Sequence, residues 1–520
     1  MGVAEDMVGA VNRSVLRRPV LLALGVCVLV ALGQLTDDLG DLDGDNAQYI
    51  LLARSLATGQ GYRTLHEPGS PPHTFWPPVF PLMLAPVVAV AGVHYRFLHA
   101  VVAASGVIGV CWWVRYLRTI SVDGRTIAWT LAVVGLSPLW SHAISRILSD
   151  IPYAMWICGA LLAASRVLQR PEQWSGWWWT VACVVAAVLT RTIGWSLVAA
   201  VTCAWWDRGA GGGHRAMRIK STLLVVVVGV VAGAWTLRNH LVAPDQMSYL
   251  THFLAQDPLD WDQGLIGWQG IFHRIISNIW FYPLGVVDVF WCGVRWMPLW
   301  IALPMSLVCS AAVAVGAQRR WVARRSVADW YVVWHLTVLA VWPFAEIRFL
   351  VPLVPMLALY LVEGIAEIGR SIVGRWRFQA RRVSVALLVV WCVTNSFGVS
   401  WRIWAAHHGG NYHEVERRYL EALQWLREHT QPGDVILAQR PPLVALMTER
   451  LSLRYPYTRD VSQIMAMIDR YGVDYVFLDG LSRMNRRFLE PVLWEQRDRF
   501  ELASIIGRHG IFRVRQHVVP

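Results

Sequence analysis

Apolar residues come in long runs over the first four hundred positions of this chain and in short, periodic ones after that. Runs near the roughly 20 residues that span a bilayer lie at 18–35, 126–143, 148–165, 221–241, 297–317, 328–345, 349–368 and 383–402. Two further regions are ambiguous by length. Residues 79–114 are too long for one span yet are interrupted by His94, Tyr95 and Arg96, and residues 176–206 are apolar except at Thr190, Arg191 and Thr192. Short cytoplasmic loops collect basic residues, and six basic clusters occur, around Arg17, Arg118, Arg166, Arg218, Arg320 and Arg377. All six fall on one face if 79–114 crosses once, its Pro-rich start lying along the outer surface, and 176–206 crosses twice with a turn at Arg191. Eleven crossings result. The segments 36–78, 144–149, 190–193, 242–296 and everything after about 403 are then outside. The first run has the basic flank of a signal peptide, but no A-x-A site precedes the acidic stretch, so it is expected to be retained.

From about 410 the pattern changes to runs too short to span. It predicts a helix over Glu414 to Thr430, with Val415, Leu420, Leu423 and Leu426 on one face, a turn at Pro432-Gly433-Asp434, and a strand at Val435 to Ala438. A short helix near 442–450, a helix at 460–471, a strand at Val473 to Leu478, a helix near 487–499 and a hairpin through Gly510 follow. The expected fold is therefore a polytopic α-helical membrane module, 1–402, followed by a small α/β domain, 403–520, outside the membrane. The second part has no G-x-G-x-x-G, Walker loop or G-x-S-x-G, which leaves it acceptor binding or a structural role.

Composition agrees with the pattern. Of 520 residues, 55% are hydrophobic and only 16% charged, against about 25% charged in soluble proteins. Disordered, collagen-like, coiled-coil and small disulfide-scaffold classes are excluded. The formal net charge is +12, and of 47 basic residues only Lys220 is lysine; so general a bias reflects composition rather than one phosphate site. The eight cysteines lie in or beside apolar stretches without a CxxC pair, which indicates neither a metal cluster nor a disulfide framework. Gly209 to Gly213 reads as a flexible piece of a cytoplasmic loop. Trp112, Trp113, Trp177 to Trp179, Trp205 and Trp206 sit near span ends and read as interfacial anchors.

Chemistry is best sought in the first outer loop, where Asp37, Asp38, Asp41, Asp43 and Asp45 place five carboxylates within nine residues. An acidic loop can simply cap the helix that begins after Asp45. A calcium loop fits poorly, since counting from Asp41 puts Asn46 and Leu52 where Gly and Glu belong. A catalytic base held at the membrane surface is the third reading. His66, Glu67 and His73, further along, read as solvent-exposed.

The run Gly44-Asp45-Asn46-Ala47-Gln48-Tyr49 through Thr58-Gly59-Gln60-Gly61-Tyr62, followed by Trp76-Pro77-Pro78-Val79-Phe80-Pro81, resembles the start of GT-C glycosyltransferases. It is most similar to the bacterial protein O-mannosyltransferase-like and lipid A aminoarabinose transferase-like enzymes. The resemblance continues through Leu136-Ser137-Pro138, Ser145 to Pro152, Leu189-Thr190-Arg191-Thr192-Ile193-Gly194 and Arg348-Phe349-Leu350-Val351-Pro352, covering most of 18–370. It implies inverting transfer of a sugar from a polyprenyl-phosphate carrier to an acceptor hydroxyl of a glycan, lipid or protein, on the outer face of a bacterial plasma membrane. Asp45 matches the family's general base, with Asp43 the second choice. Arg191 and Arg348, at outer turns, suit a lipid phosphate, and an Arg among apolar residues is costly enough to suggest function. Asp150 matches an often acidic family position and can orient the acceptor or pair with Arg146; Tyr49 and His73 are further orienting candidates. The family's basic residue before Pro-Pro is Trp76 here, which shifts the phosphate clamp onto Arg191 and Arg348. No cofactor is required; a divalent metal is not indicated, and no nucleic-acid partner is expected. A lipid or glycan transporter, or flippase, is the alternative, but transporters place charge at the midplane of related halves, whereas these charges gather at one face.

Overall fold

A computed structural model of the chain describes residues 2–208, 214–243, 249–372, 377–408 and 412–515; Gly209 to Gly213 and Arg375 lie outside them. The helices, in chain order, are α1 Gly2–Gly33, α2 Asp45–Ala57, α3 Val79–Ala91, α4 Tyr95–Thr119, α5 Gly124–Gly135, α6 Pro138–Ile144, α7 Asp150–Gln169, α8 Ser175–Val188, α9 Trp195–Arg208 and α10 His214–Val242. After these come α11 Tyr249–Leu254, α12 Trp268–Phe290, α13 Leu299–Arg324, α14 Val327–Val341, α15 Val354–Ile372, α16 Arg377–His407, α17 Glu414–His429, α18 Pro441–Thr448, α19 Val461–Tyr471 and α20 Glu490–Glu495. Five strands lie at Val435–Ala438 (β1), Leu451–Leu453 (β2), Tyr475–Leu478 (β3), Phe500–Ile506 (β4) and His509–Val514 (β5). The chain forms two compact units. The first comprises Met1–Thr36, His99–Arg238 and Phe272–Trp404, and the second Asp37–Leu98, Asn239–Ile271 and Ala405–Pro520.

The first unit is all helical, and its outward faces carry exposed Leu21, Leu22, Val226, Val230, Leu307 and Val308. Such faces need lipid rather than water around them. Among the described residues five helices are long and apolar enough to cross a bilayer, or six if a bent pair counts as one, while four more apolar helices are shorter. The chain is a multi-pass membrane protein; eleven crossings were expected. The run expected as one span at 126–143 is that bent pair, α5 and α6, at 58° to one another. Pro138 lacks the N–H that would continue α5, and the Ser137 hydroxyl instead caps α6 and donates to the Val289 carbonyl at 2.6 Å. Within the segment 242–296, expected as an outer loop, residues Trp268–Phe290 form the helix α12. Ile275, Ile279, Tyr282 and Val286 recur at helical spacing there, although His273, Arg274 and Asn278 interrupt the apolar run.

Two glycines let α13 and α15 touch backbone to backbone. A Cβ on Gly316 would sit 1.9 Å from the Tyr360 carbonyl oxygen, and one on Gly364 1.8 Å from that of Ala312, so larger residues would force the helices apart. One turn beyond Gly316, Arg320 is 8% exposed and donates to Glu363 at 2.9 Å, with Asp329 of α14 at 3.6 Å. Counted in the sequence as a cytoplasmic loop charge, Arg320 is instead buried in an ion-pair cluster. Three of the expected interfacial tryptophans are also inside. Trp113, Trp177 and Trp205 are buried, and the last two donate to the Lys220 and Ala164 carbonyls. Trp178, Trp179 and Trp206 are exposed, as helical periodicity requires of their neighbours. Lys220 itself is buried, its ammonium donating to the carbonyls of Pro171 (2.6 Å) and Gln173 (2.8 Å) while lying over the Trp174 ring.

The second unit is built on a mixed sheet in the order β2-β1-β3-β5-β4, with β2, β1 and β3 parallel and β5 antiparallel to both its neighbours. β1 is apolar and buried at every residue, as a central parallel strand must be. Tyr419, Leu423 and Leu426 form the buried face of α17. The predicted strand at Val435 to Ala438 is β1 and the predicted helix from Glu414 is α17. The three-residue β2 was not expected; the hairpin expected through Gly510 is β4 and β5, which turns at Gly507 (φ 62°). The helix expected near 487–499 is broken into a wide turn at Asn485–Leu489, α20 and a 3-10 turn at Arg497–Arg499.

Candidate functional site

In the first unit, three residues far apart in sequence meet. The chain between α8 and α9 reverses over Leu189 to Gly194, with Arg191 extended (φ −147°, ψ 136°) and Gly194 so close to Val188 that a Cβ would lie 2.7 Å from its Cα. Arg191 is thereby presented from a turn. Arg348 comes from the 3-10 turn Ile347–Leu353 that precedes α15, and Asp150 is the first residue of α7. Arg191 Nη1 donates to Asp150 Oδ1 at 2.7 Å, and Arg348 Nε donates to Asp150 Oδ2 at 3.1 Å. Each carboxylate oxygen thus takes one guanidinium. Asp150 is 2% exposed, whereas the two arginine side chains remain 18% and 24% exposed. Arg191 Nη1 also reaches Ser149 Oγ (3.3 Å), and its guanidinium carbon lies 5.9 Å from the centre of the Phe349 ring. Arg146 adds a further positive charge to the field at Asp150. Two guanidinium groups thus share one buried carboxylate.

The second unit holds the Asp-rich loop, and there the five carboxylates separate into different tasks. Asp37 pairs with Arg96 at 2.5 Å. Asp38 and Asp41 accept the backbone N–H groups of Gly40 and Asp43, each at 3.0 Å, in short Asx turns. Asp43 is exposed and Asp45 half-buried. Asp45 does not cap α2, as the sequence suggested. It is the first helical residue, preceded by Gly44 in a left-handed conformation (φ 97°), and its charge favours the positive end of the helix from there. Asn46, buried beside these more conspicuous residues, holds the loop closed. Its amide donates to the Leu39 (3.1 Å) and Asp41 (2.9 Å) carbonyls. Tyr49 is buried, its ring 4.4 Å from that of Trp76 and 4.8 Å from that of Phe80. His73 Nε2 accepts the Trp76 N–H, which leaves its Nδ1–H for Thr64 Oγ1 at 3.1 Å.

His66 is a correction, since it is 6% exposed rather than solvated. Its Nδ1 lies 3.1 Å from the Ser452 carbonyl and its Nε2 2.9 Å from the Gln48 amide, while its own carbonyl accepts the Ser452 N–H at 2.7 Å. Burial pushes its pKa down to about 4. A neutral ring has one N–H, and the two oxygens facing it, the Ser452 carbonyl and Gln48 Oε1, can only accept. Burial also raises the Glu67 carboxyl.

A cavity of about 1110 Å³ lies at the Arg320 end of the first unit, not at Asp150. Its charged lining is already partnered. Arg320 is held by Glu363, Arg319 and Arg370 by Glu367, and Asp123 by the first turn of α5. Among the described residues no three His, Cys, Asp or Glu side chains are grouped as a metal ion would need.

No family model matches the chain, and no curated protein matches it in sequence. Solved structures do match. ArnT from Cupriavidus metallidurans bound to undecaprenyl phosphate is 15% identical, with a TM-score of 0.61, over 95% of this chain and 97% of that one; its apo state gives a TM-score of 0.62 at 14% identity. The archaeal oligosaccharyltransferase AglB from Archaeoglobus fulgidus, in complex with an inhibitory peptide and a dolichol-phosphate, is 12% identical, with a TM-score of 0.55, over 96% of this chain and 75% of that one. At these identities the likeness is one of fold, and the fold is that of the GT-C membrane glycosyltransferases.

Proposed function

We propose that the protein transfers a sugar from a polyprenyl-phosphate carrier to an acceptor hydroxyl at the outer face of a bacterial plasma membrane. One observation carries the reading: two guanidinium groups from separate turns of a membrane bundle converge on the single carboxylate of Asp150. Guanidinium groups suit phosphate oxygens, which they can bind bidentately, and both arginine side chains keep exposed surface with which to do so. The fold supports the same reading, since structures sharing it hold undecaprenyl phosphate or dolichol-phosphate.

In this mechanism Arg191 and Arg348 bind the donor phosphate and stabilise the charge that grows on it as the glycosidic bond breaks. A lipid phosphate is already a stable leaving group, so no general acid is needed. Asp45 takes the proton of the acceptor hydroxyl as that oxygen attacks the anomeric carbon from the opposite side, inverting its configuration. Asp150 orients the two arginines. Residues 403–520 contribute the acceptor side, as an extracytoplasmic domain.

The test is release of polyprenyl phosphate from a panel of polyprenyl-phosphate sugars, incubated with the purified full chain and candidate acceptors. Asp45→Asn should lower release by about 10² to 10⁴ while leaving undecaprenyl phosphate binding intact. If Asp43→Asn abolishes release and Asp45→Asn stays within about threefold of wild type, the base is Asp43. Absence of both release and lipid-phosphate binding would overturn the reading.

A further inference from the structure

Behind the arginine pair runs a chain of buried polar groups with no part in the reaction just described. Helix α14 carries Tyr331 and His335 one turn apart, both at most 1% exposed. His335 Nε2 lies 3.1 Å from the Phe349 carbonyl oxygen and His335 Nδ1 2.9 Å from the Tyr331 hydroxyl; that hydroxyl is 3.4 Å from the Tyr153 hydroxyl of α7. A carbonyl can only accept. The proton therefore sits on Nε2, Nδ1 takes the Tyr331 O–H, and the Tyr331 oxygen is left to accept from Tyr153. The three side chains form one directed line that ends on the backbone of Phe349.

Phe349 follows Arg348 in the 3-10 turn, and its ring is the one over which the Arg191 guanidinium lies. A short 3-10 turn has poor internal hydrogen bonding, and its orientation is set from outside. Asn278 of α12 fixes the chain just upstream by donating to the carbonyls of Leu339, Ala340 and Trp342 at 2.9 to 3.2 Å. His335 fixes the turn itself. Burying three hydroxyl and imidazole groups in an apolar helix bundle costs free energy unless every one is paired, and here the pairing converges on the residue beside Arg348.

We propose that His335, oriented by Tyr331, is a positioning residue for the phosphate site, holding the Ile347–Leu353 turn so that Arg348 and the Phe349 ring stay aligned with Arg191 and Asp150. This rests on the reading of Arg348 as a phosphate ligand.

The experiment is a double-mutant cycle in the full-length protein in lipid nanodiscs, with undecaprenyl phosphate as the probe. His335→Leu should weaken binding about tenfold, whereas His335→Gln, whose amide N–H can still reach the Phe349 carbonyl, should stay within about threefold of wild type. In an Arg348→Ala background His335→Leu should cost nothing further, because the arginine it aligned is gone. Equal loss in both backgrounds, or wild-type binding by His335→Leu, overturns the positioning role. If His335→Leu does not fold, the same cycle with Tyr331→Phe, expected to weaken binding about threefold, decides between the same outcomes. Wild-type binding by Arg348→Ala alone would mark failure of the phosphate-site reading itself, and the inference would fall with it.

Discussion

The first unit buries two aspartates to nearly the same degree, Asp150 at 2% and Asp329 at 3% side-chain exposure, and surrounds them differently. Asp329 shares its one guanidinium, Arg320, with Glu363, and takes further hydrogen bonds from the Ser326 N–H, the Ser326 hydroxyl and the Tyr360 hydroxyl. The anions there match or outnumber the cation. Asp150 takes one guanidinium on each oxygen, and both are partly exposed. Burial of a carboxylate beside arginine therefore does not mark a site by itself. The accessibility of the paired cation does. At Asp329 the Arg320 side chain is 9% exposed and the cluster ties α13, α14 and α15 together, whereas at Asp150 the Arg191 and Arg348 side chains keep 18% and 24% of their surface exposed.

The comparison is broken most sharply by removing the shared cation. Arg320→Leu leaves Asp329 and Glu363 buried without a counter-charge and should cost about 3–5 kcal/mol of stability, read as a large fall in thermal unfolding temperature in detergent. An unfolding temperature within a degree or two of wild type would mean that the Asp329 cluster does not hold the bundle.

A buried polar centre in the second unit supplies a smaller effect. His66 is held neutral with its pKa near 4, against about 6.5 when unfolded, so between these values the unfolded chain binds the extra proton. Stability should be unaffected above pH 6.5 and fall by up to roughly 3 kcal/mol as the pH drops toward 4. The protection factor of the Ser452 amide, which donates to the His66 carbonyl, should fall over that window, and the acid-sensitive part should disappear in His66→Gln. A protection factor that does not change with pH in this range would overturn it.

The smallest stability effect is expected at the proposed site. Arg191→Leu still leaves Asp150 with Arg348, so about 1–2 kcal/mol should be lost, while affinity for undecaprenyl phosphate falls about tenfold or more. A loss of stability as large as that for Arg320→Leu, with binding unchanged, would make the Asp150 cluster structural like its counterpart.

How far the sequence reveals this depends on how unusual each residue looks in its surroundings. Arg191 is conspicuous because apolar residues flank it on both sides, and the β1 run Val435–Ala438 because nothing polar interrupts it. Arg320 was hidden by its neighbours: inside a cluster of arginines it reads as one more loop charge, and only the Gly316–Gly364 approach draws it into the bundle. His335 and Tyr331 sit in a helix whose apolar content already explains its position, so no local pattern marks them. Asn46 is overshadowed by five carboxylates, and His66 is buried by β2, a strand too short to be legible. His66 and Tyr331 depend on Ser452 and Tyr153, 386 and 178 positions away, and separation of that kind leaves no trace in spacing.

The burial of Lys220 has a practical consequence. Because the remaining 46 basic residues are arginine, its ammonium is the only side-chain primary amine in the chain, and it is sequestered against two carbonyls and a tryptophan face. Amine-selective acylating reagents should therefore pass over every side chain of the folded protein. Their incorporation at this one position would count openings of the corner formed by residues 171–177 and the start of α10, a chemical clock built into the chain by its own composition.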